Sequence, residues 1–526
     1  MIDDVKLPGM TDAILQSEDV EAKSEPKAKP RFEQIDREQM VMRAIDIDQM
    51  VDQSHPVRAI WEFVGRLDLS SFCEDIRAVE GERGRPALDP RLMISLWVYA
   101  YSRGVSSARE IARLCEYDPG FQWLIGMKLV NHHSLSDFRV DHGAALDKLF
   151  TEVLAVLMGE GLVRLERVMH DGTKIEACGS RSRFRTRKSI DEDLDIARKH
   201  VEEMKKQSDE DMKGRAAKAQ ERVVRERVQR LESAQKEFEK IKASQPTEKK
   251  KWKKGKNKKK AEEMRVSENE PEARNMKYRN GAFAPSYNAQ ISTDQLCTVI
   301  VGTGLSQSAG DSDELEGAIN RIEHNTGKLP GQVVADGGYG GGYNIHLMGE
   351  LGIEFITPAS NNLYQLKKSG IDEAFSRQGF VYDEVTNSYR CQADKVLRYI
   401  GREKRGKSMR ERYRARAADC QACVFKQRCC PGTKSGRSLM HLEYQSEVDI
   451  HAAKMQTEEA REIYKQRGQT AEFPSAWIKE KIGLRRFRVR GLVKAGLELT
   501  WACLTYNIQQ WIRLSWRTQG LGQIKT

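Results

Sequence analysis

Two aspartates in this sequence stand where a β-sheet would present them at its edge. Asp171 ends an apolar, β-branched run and precedes Gly172, and Asp336 ends the run 332–335 and precedes Gly337. An aspartate at a strand's carboxyl end, with a glycine that lets the backbone turn away, points its oxygens into a crevice where a cation can bind. A single Asp-Gly pair is more often only a turn, so the repetition is what indicates chemistry.

A third carboxylate, Glu472, lies near the C-terminus. Pro474 suits the first turn of a helix, so we expect Glu472 at a helix start and Lys479, seven residues later, on the same face. Three carboxylates could hold two Mg²⁺ ions, which prefer oxygen ligands, and Mn²⁺ could replace them. Two such ions about 3.5 to 4 Å apart supply what phosphodiester cleavage needs, an activated water and relief of phosphoryl charge.

Composition favours a nucleic-acid partner. The chain has 526 residues, a formal net charge of +11 and 31% charged residues, a balance that suits a polyanion, with an anionic membrane surface as the weaker alternative. It contains no apolar run long enough to span a membrane, and its start lacks the pattern of a signal peptide. We therefore expect a cytoplasmic protein with reduced thiols and no membrane partner.

The order of patterns predicts an α/β protein built from several parts. Residues 46–160 show helical spacing, and 161–515 contain the strand patterns of a sheet domain. Two insertions interrupt that domain, a charged helical arm at 188–275 and a basic, cysteine-containing segment at 360–455. A disordered lead-in at 1–45 and a tail at 516–526 complete the predicted organisation.

The helical segment has features of a DNA reader. Ser106 or Ser107 could cap one short helix, and the pattern Ser134 to Asp137 could open another. Arginines 109, 113 and 139 lie on these helices, which fits a helix-turn-helix module; a plain helical bundle with solvated arginines is the alternative.

The arm reads as a helix pair or coiled coil. Apolar residues such as Leu194, Ala197, Leu231 and Phe238 recur among Lys, Arg and Glu. The lysine-rich run 249–260 that follows is either a solvated tail or a sequence-independent grip on phosphates.

Cysteines in the second insertion form a candidate zinc site. Cys391, Cys420, Cys423 and Cys429 are the first choice of ligands, with Cys430 adjacent. Four thiolates could staple a small unit with little core of its own, and reduced, partly buried cysteines are the alternative.

One motif gives a specific family resemblance. Tyr464-x2-Arg467 followed by Glu472-x6-Lys479 resembles the YREK signature of bacterial insertion-sequence DDE transposases. Segments 84–90, 483–491 and 501–507 also resemble parts of these enzymes, so the likeness covers roughly residues 50–515. It implies an RNase H-like core, a mixed sheet flanked by helices, with the catalytic, Mg²⁺-binding residues at Asp171, Asp336 and Glu472.

The resemblance also implies a DNA interface. It casts Tyr464 and Arg467 as contacts near the cut end and Lys479 as a backbone contact, with Arg485 and Arg486 nearby. The implied partners are the terminal inverted repeats of an element and its target duplex, bound by a homodimer at the bacterial nucleoid. Two alternatives stay open: an RNase H-like metal nuclease, and a non-catalytic DNA-binding regulator derived from a transposase.

Overall fold

The computed structural model of the chain describes residues 36–40, 42, 44–74, 76, 78, 86–208, 215–244, 264–278, 280–358 and 363–517. Most of the predicted lead-in and tail, and all of the lysine-rich run 249–260, lie outside the described residues. Residues up to Asp46 form one unit and Ile47–Thr526 a second, which carries everything that follows. Helices and two main sheets confirm the α/β class.

The second unit begins with short helices. They are α1 Pro56–Val64, α2 Ser70–Cys73, α3 Pro90–Ser102, α4 Ala108–Tyr117, α5 Pro119–Ile125, α6 His132–Asp141 and α7 Gly143–Gly159. Ser107 caps α4 by accepting a hydrogen bond from the Glu110 amide. The predicted helix start at Ser134 is wrong: Asn131 accepts a hydrogen bond from the His133 amide, so α6 begins two residues earlier.

A six-stranded mixed sheet follows. In chain order the first eight strands are β1 Arg167–Glu176, β2 Phe184–Thr186, β3 Arg265–Ser267, β4 Arg274–Lys277, β5 Phe283–Asp294, β6 Ile300–Ser306, β7 Gln332–Ala335 and β8 Glu354–Ile356. The order is β4-β5-β1-β7-β8, with β6 also paired to β5, and β2 pairs with β3 separately. Strands β1, β7 and β8 are parallel, whereas β5 is antiparallel to β1, β4 and β6.

The expectation that β1 ends at Asp171 is wrong. The strand continues to Glu176 because residues 168–176 all pair with the long strand β5. What stops near Asp171 is the pairing on the other side, where β7 ends and His170 opposite Ala335 is the last pair. Asp171 therefore lies at an edge that the short strand β7 creates.

The arm consists of two long antiparallel helices, α8 Arg187–Ser208 and α9 Arg215–Ser244. Arg187 pairs with Glu239 and Arg198 with Glu232, so one helix runs down the other. The apolar residues that the sequence singled out form its small core: Leu194, Ala197, Leu231 and Phe238 are all buried together.

The remaining helices flank or follow the sheets. They are α10 Leu315–Thr326, α11 Gly342–Glu350, α12 Leu363–Lys368, α13 Ala417–Gln421, α14 Lys426–Cys429, α15 Gln445–Lys454, α16 Glu458–Lys465, α17 Arg467–Glu480 and α18 Leu492–Trp511. Helix α17 lies against β1 and β5, while α18 packs against α3, α7 and β6. Among the described residues, none of the helices combines the length and apolar character needed to cross a membrane.

A second, antiparallel sheet occupies the cysteine-containing segment. Its strands are β9 Val381–Asp383, β10 Ser388–Arg390, β11 Val396–Arg405, β12 Ser408–Ala415 and β13 Ser438–Leu442, in the order β13-β12-β11-β10-β9. One face packs into a core of its own around Tyr389, Leu397, Tyr413 and Leu439. This sheet is therefore stabilised separately from the main one.

Arg139 does not face solvent as the sequence pattern suggested. Its guanidinium is buried, 3.6 Å from the fully buried carboxylate of Glu498 on α18, and it stacks over Trp97. Two backbone amides, of Arg488 and Val489, also donate to Glu498. The arginine joins the helical segment to α18 and takes no part in a DNA-binding surface.

Candidate active site

Parallel strands bring Asp171 and Asp336 together. Asp171 follows the last β1–β7 pair on one strand, and Asp336 follows it on the other, at the carboxyl ends of both paired segments. Asp336 is held by its own turn, where its Oδ1 accepts a hydrogen bond of 2.7 Å from the Gly338 amide. Two carboxylates thus share one sheet edge, as the sequence predicts for the pair.

The carboxyl group of Asp171 carries poorly compensated charge. Burial is the main reason that the pKa of Asp171 is raised to about 6; the Arg467 guanidinium acts to lower this pKa, and the neighbouring carboxylates of Asp336 and Asp311 act to raise it. The Arg467 Nη1 atom lies 3.5 Å from Asp171 Oδ1, and both side chains are largely shielded from solvent. A carboxylate in such surroundings favours a bound cation.

Asp311 is a third acid in the site, and the sequence reasoning missed it. Its Oδ1 accepts hydrogen bonds from Asn288 Nδ2 (2.7 Å) and Gln290 Nε2 (3.1 Å), both on β5. A side chain on Gly172 would collide with the Asp311 carboxylate, and one on Gly338 would meet Asp336 Oδ1 at 2.8 Å. These glycines allow three aspartates to approach one another.

A buried polar network lies under the aspartates. Because the Asp311 carboxylate only accepts, it fixes the Gln290 amide so that Oε1 points inward. That oxygen accepts from the Tyr339 hydroxyl (2.6 Å) and lies 2.9 Å from His170 Nε2, while His170 Nδ1 lies 2.9 Å from Ser292 Oγ. Burial lowers the pKa of His170 to about 3, so the ring is neutral and donates through Nε2.

Glu472 is not in contact with the aspartates. It is exposed on α17, and it makes no hydrogen bond or ion pair with any residue that the structure describes. Its helix nevertheless touches the site at two points, since Arg467 reaches Asp171 and Lys479 donates to the Thr173 hydroxyl. Glu472 lies between these two anchors along α17.

The start of that helix differs from our expectation. Helix α17 begins at Arg467, and Pro474 lies in its interior. Buried neighbours such as Ala471 and Ile478 hold the helix against the sheet despite the backbone hydrogen bond that proline cannot make.

The oxygen ligands of this site suit a hard divalent cation in their chemistry but not in their spacing. Asp171, Asp336 and Asp311 offer carboxylate oxygens of the kind that Mg²⁺ and Mn²⁺ prefer. Among the described residues, however, no three His, Cys, Asp or Glu side chains are grouped closely enough to hold a metal ion. Holding a metal ion there would require the carboxylates to draw closer together.

The cysteines of the second sheet partly assemble. Cys420 and Cys429 are influenced by the charges of Cys391 and Cys430, and burial raises the pKa of the Cys429 thiol to about 12. Two backbone amides point at sulfur, Lys395 at Cys391 and Arg437 at Cys420, each at 3.3 Å. Cys391, Cys420 and Cys429 belong to the core of this sheet, Cys430 interacts electrostatically with Cys420 and Cys429, and all ten cysteines are free of disulfides.

The residues predicted to contact DNA differ in their exposure and in their partners within the protein. Tyr464 is half-buried with Arg467 over its ring at 5.8 Å, and Arg486 is held by the backbone carbonyls of Ala177 and Cys178. Arg486 is nevertheless exposed, as are Arg109, Arg113 and Arg485; Arg113 pairs with Glu110 and Arg485 with Glu480.

Two protein-family models match separate parts of the chain. A model described as a transposase DDE domain matches residues 390–512, which include α17 and Glu472, and a transposase domain (DUF772) matches residues 45–141, which include α1 to α6. The two aspartates lie between the matched regions, and no curated protein matches the chain. A transposase domain is therefore matched on each side of this site, which supports an insertion-sequence DDE transposase.

Proposed function

We propose that this transposase cleaves DNA at the ends of its element and joins the freed 3′ ends to target DNA, with Asp171, Asp336 and Glu472 as the catalytic carboxylates. The observation that carries the proposal is the juxtaposition of Asp171 and Asp336 at one edge of parallel strands, with the Glu472 helix anchored to the same strand. This arrangement supports a site to which acids from three distant parts of the chain contribute.

An RNase H-like core is part of the proposal. The order β6-β5-β1-β7-β8, with two antiparallel pairs on one side of β1 and parallel pairs on the other, supports it. We propose boundaries of 161–515 for this catalytic domain and 46–160 for a helical DNA-binding domain. The arm, 188–275, and the cysteine-containing segment, 360–455, are insertions in the catalytic domain.

The carboxylates of Asp171, Asp336 and Glu472 would hold two Mg²⁺ ions, for which Mn²⁺ can substitute. Bound there, such ions would activate the attacking water or 3′ hydroxyl and stabilise the leaving oxygen. The Arg467 guanidinium, which now faces Asp171, would turn to the DNA phosphates once Asp171 is neutralised by another cation. Lys479, about two turns after Glu472 on α17, would contact the same backbone.

The proposed partners follow from this chemistry. Terminal inverted repeats and a target duplex would meet the site through Tyr464, Arg467, Lys479, Arg485 and Arg486, and the helical segment through Arg109 and Arg113. Two copies would act together on paired ends at the nucleoid, with the arm as the candidate interface.

A strand-transfer assay tests the function. Purified protein, a labelled duplex bearing the element's terminal repeat, a target plasmid and Mg²⁺ should yield label covalently joined to the target. Nicking of the duplex without any joined product would favour a nuclease, and binding without nicking would favour a regulator.

Asp311 should influence the pH dependence of cleavage. Its negative charge raises the pKa of Asp171, so Asp311→Asn should lower that pKa and move the acid limb of the pH–rate profile to lower pH. Asp313→Asn is the matched control, because Asp313 is exposed in the same loop and contacts the Lys407 amide instead. An acid limb that stays in place in both variants would exclude Asp311 from the electrostatics of the site.

We also propose a structural zinc ion bound by Cys391, Cys420, Cys429 and Cys430, whose thiols would draw closer together around it. Cys430→Ser should then reduce the zinc content, measured by elemental analysis, from about one ion per chain to near zero. Cys423→Ser is the control and should retain the metal. Equal zinc content in the two variants would restore Cys423 as a ligand, and no zinc in the unaltered protein would exclude the site.

A further inference from the structure

The outward face of the second sheet carries a like-charged pair of arginines. Arg398 on β11 lies directly opposite Arg414 on β12, and Arg412 lies two residues before Arg414 on the same face. Arg398 and Arg414 are exposed, whereas Tyr413, the residue between Arg412 and Arg414, points into the buried core. Like charges directly opposite each other on a sheet are destabilising.

Little in the chain compensates these charges. Within the described part of the chain, Arg398 has no ion-pair partner, and Arg414 donates only to the Ser438 hydroxyl, at 3.0 Å. The carboxylate nearest to Arg412 is that of Glu403, at 4.0 Å. The hydrophobic core of this sheet lies on its other face, so the three arginines are not required for folding.

The same hairpin is fastened beside the carboxylate site. The turn between β11 and β12 docks on the loop that contains Asp311: the Lys407 amide donates to Asp313 Oδ1 at 3.3 Å, and the Lys407 ammonium pairs with Glu316. Gly406 has a φ of +60° and sits so close to the Asp313 carboxylate that a side chain there would collide with it. The turn of this hairpin is therefore fixed beside the loop of Asp311, and the strands carry Arg398 and Arg414 toward the other end of the hairpin.

We propose that the face formed by Arg398, Arg412 and Arg414 binds the phosphate backbone of duplex DNA next to the cleavage site. A row of cations along two strands fits a polyanion rather than a small ligand, and phosphate contacts position a duplex without reading its sequence. The inference rests on the proposed function, because it gives this surface the same DNA substrate.

The test is the salt dependence of DNA binding by the full-length protein. For the double variant Arg398→Gln/Arg414→Gln, the slope of log K against log salt should become shallower by about 1.8, because roughly 0.9 is lost per phosphate contact. The matched control is Arg164→Gln/Lys328→Gln, which removes two exposed positive charges near the amino ends of β1 and β7, opposite the aspartates. The control should leave the slope nearly unchanged.

Three outcomes would overturn the proposal. They are equal slopes in the double variant and the unaltered protein, equal losses in the double variant and the control, and a loss seen with single-stranded RNA but not with duplex DNA. The first two would leave the proposed function intact as long as DNA is bound. A protein that binds no duplex at any salt concentration would defeat the proposed function as well.

Discussion

Asp171→Asn and Asp336→Asn should each lower the rate of DNA strand cleavage by roughly 10³-fold or more, and Glu472→Gln should do the same. An amide keeps the shape of a carboxyl group but removes the charge that holds a divalent cation. Because the three acids act as a unit, a double variant should be little worse than a single one. Nicking of supercoiled plasmid that carries the element's ends, with Mg²⁺ or Mn²⁺, measures the effect.

The control for this prediction is DNA affinity in the same variants. Removing one negative charge should leave duplex binding as strong as before or slightly stronger, since the partner is a polyanion. Asp313→Asn, which changes an exposed acid outside the site, should cleave at a nearly normal rate. Substantial cleavage by Asp336→Asn would contradict the assignment; the asparagine oxygen can still accept the hydrogen bond of the Gly338 amide, so the turn should be kept in this variant.

Metal-free protein should be stabilised by Asp171→Asn at neutral pH but not under acid conditions. Burial raises the pKa of Asp171 from 3.8 to about 6, so the folded state holds this proton more tightly than the unfolded state does. Ionising the group therefore costs folding free energy, a cost absent below about pH 4 and complete above about pH 6, at most about 3 kcal/mol. Asparagine carries no charge, so the variant does not lose this folding free energy.

Urea unfolding with a chelator present, at pH 4 and pH 7, measures this difference. The variant should gain on the unaltered protein between the two pH values, and saturating Mg²⁺ should stabilise the unaltered protein alone. A variant that is less stable at pH 7, or equally offset at both pH values, would show that Arg467 already compensates the charge of Asp171 in full.

The position of the two aspartates could be predicted because strand ends leave a local signal. For Asp336 the signal was complete, since β7 stops at Ala335 and a glycine-rich turn follows. For Asp171 it was misleading in one respect: Gly172 does not end β1, because it pairs with Gln290 on β5. The length of a strand depends on its partners, which lie far away in sequence.

Asp311 could not be found from its own surroundings in sequence, a loop of Gly, Asp and Ser. Its role depends on amides of β5 that a long-range register places beside it. A signal did exist in β5, where Asn288, Gln290 and Ser292 alternate along one face and are all buried. Buried polar residues need hydrogen-bond partners; Asp311 accepts from Asn288 and Gln290, and His170 is the partner of Ser292.

The burial of Arg139 could not be predicted from the local sequence pattern either. Helical spacing placed it beside Arg109 and Arg113, but its partner Glu498 comes from α18, near the other end of the chain. The start of α17 was misjudged for a similar reason, because packing of Ala471 and Ile478 outweighs the helix-breaking tendency of Pro474.

The central claim is that Glu472 joins Asp171 and Asp336 at a shared pair of metal ions when DNA is bound. Anomalous diffraction from crystals of a DNA complex containing Mn²⁺ tests it most directly. We expect two peaks about 3.5 to 4 Å apart between the aspartates, with a carboxylate oxygen of Glu472 on one of them. Peaks held by the aspartates alone, with Glu472 still facing solvent, would contradict the claim.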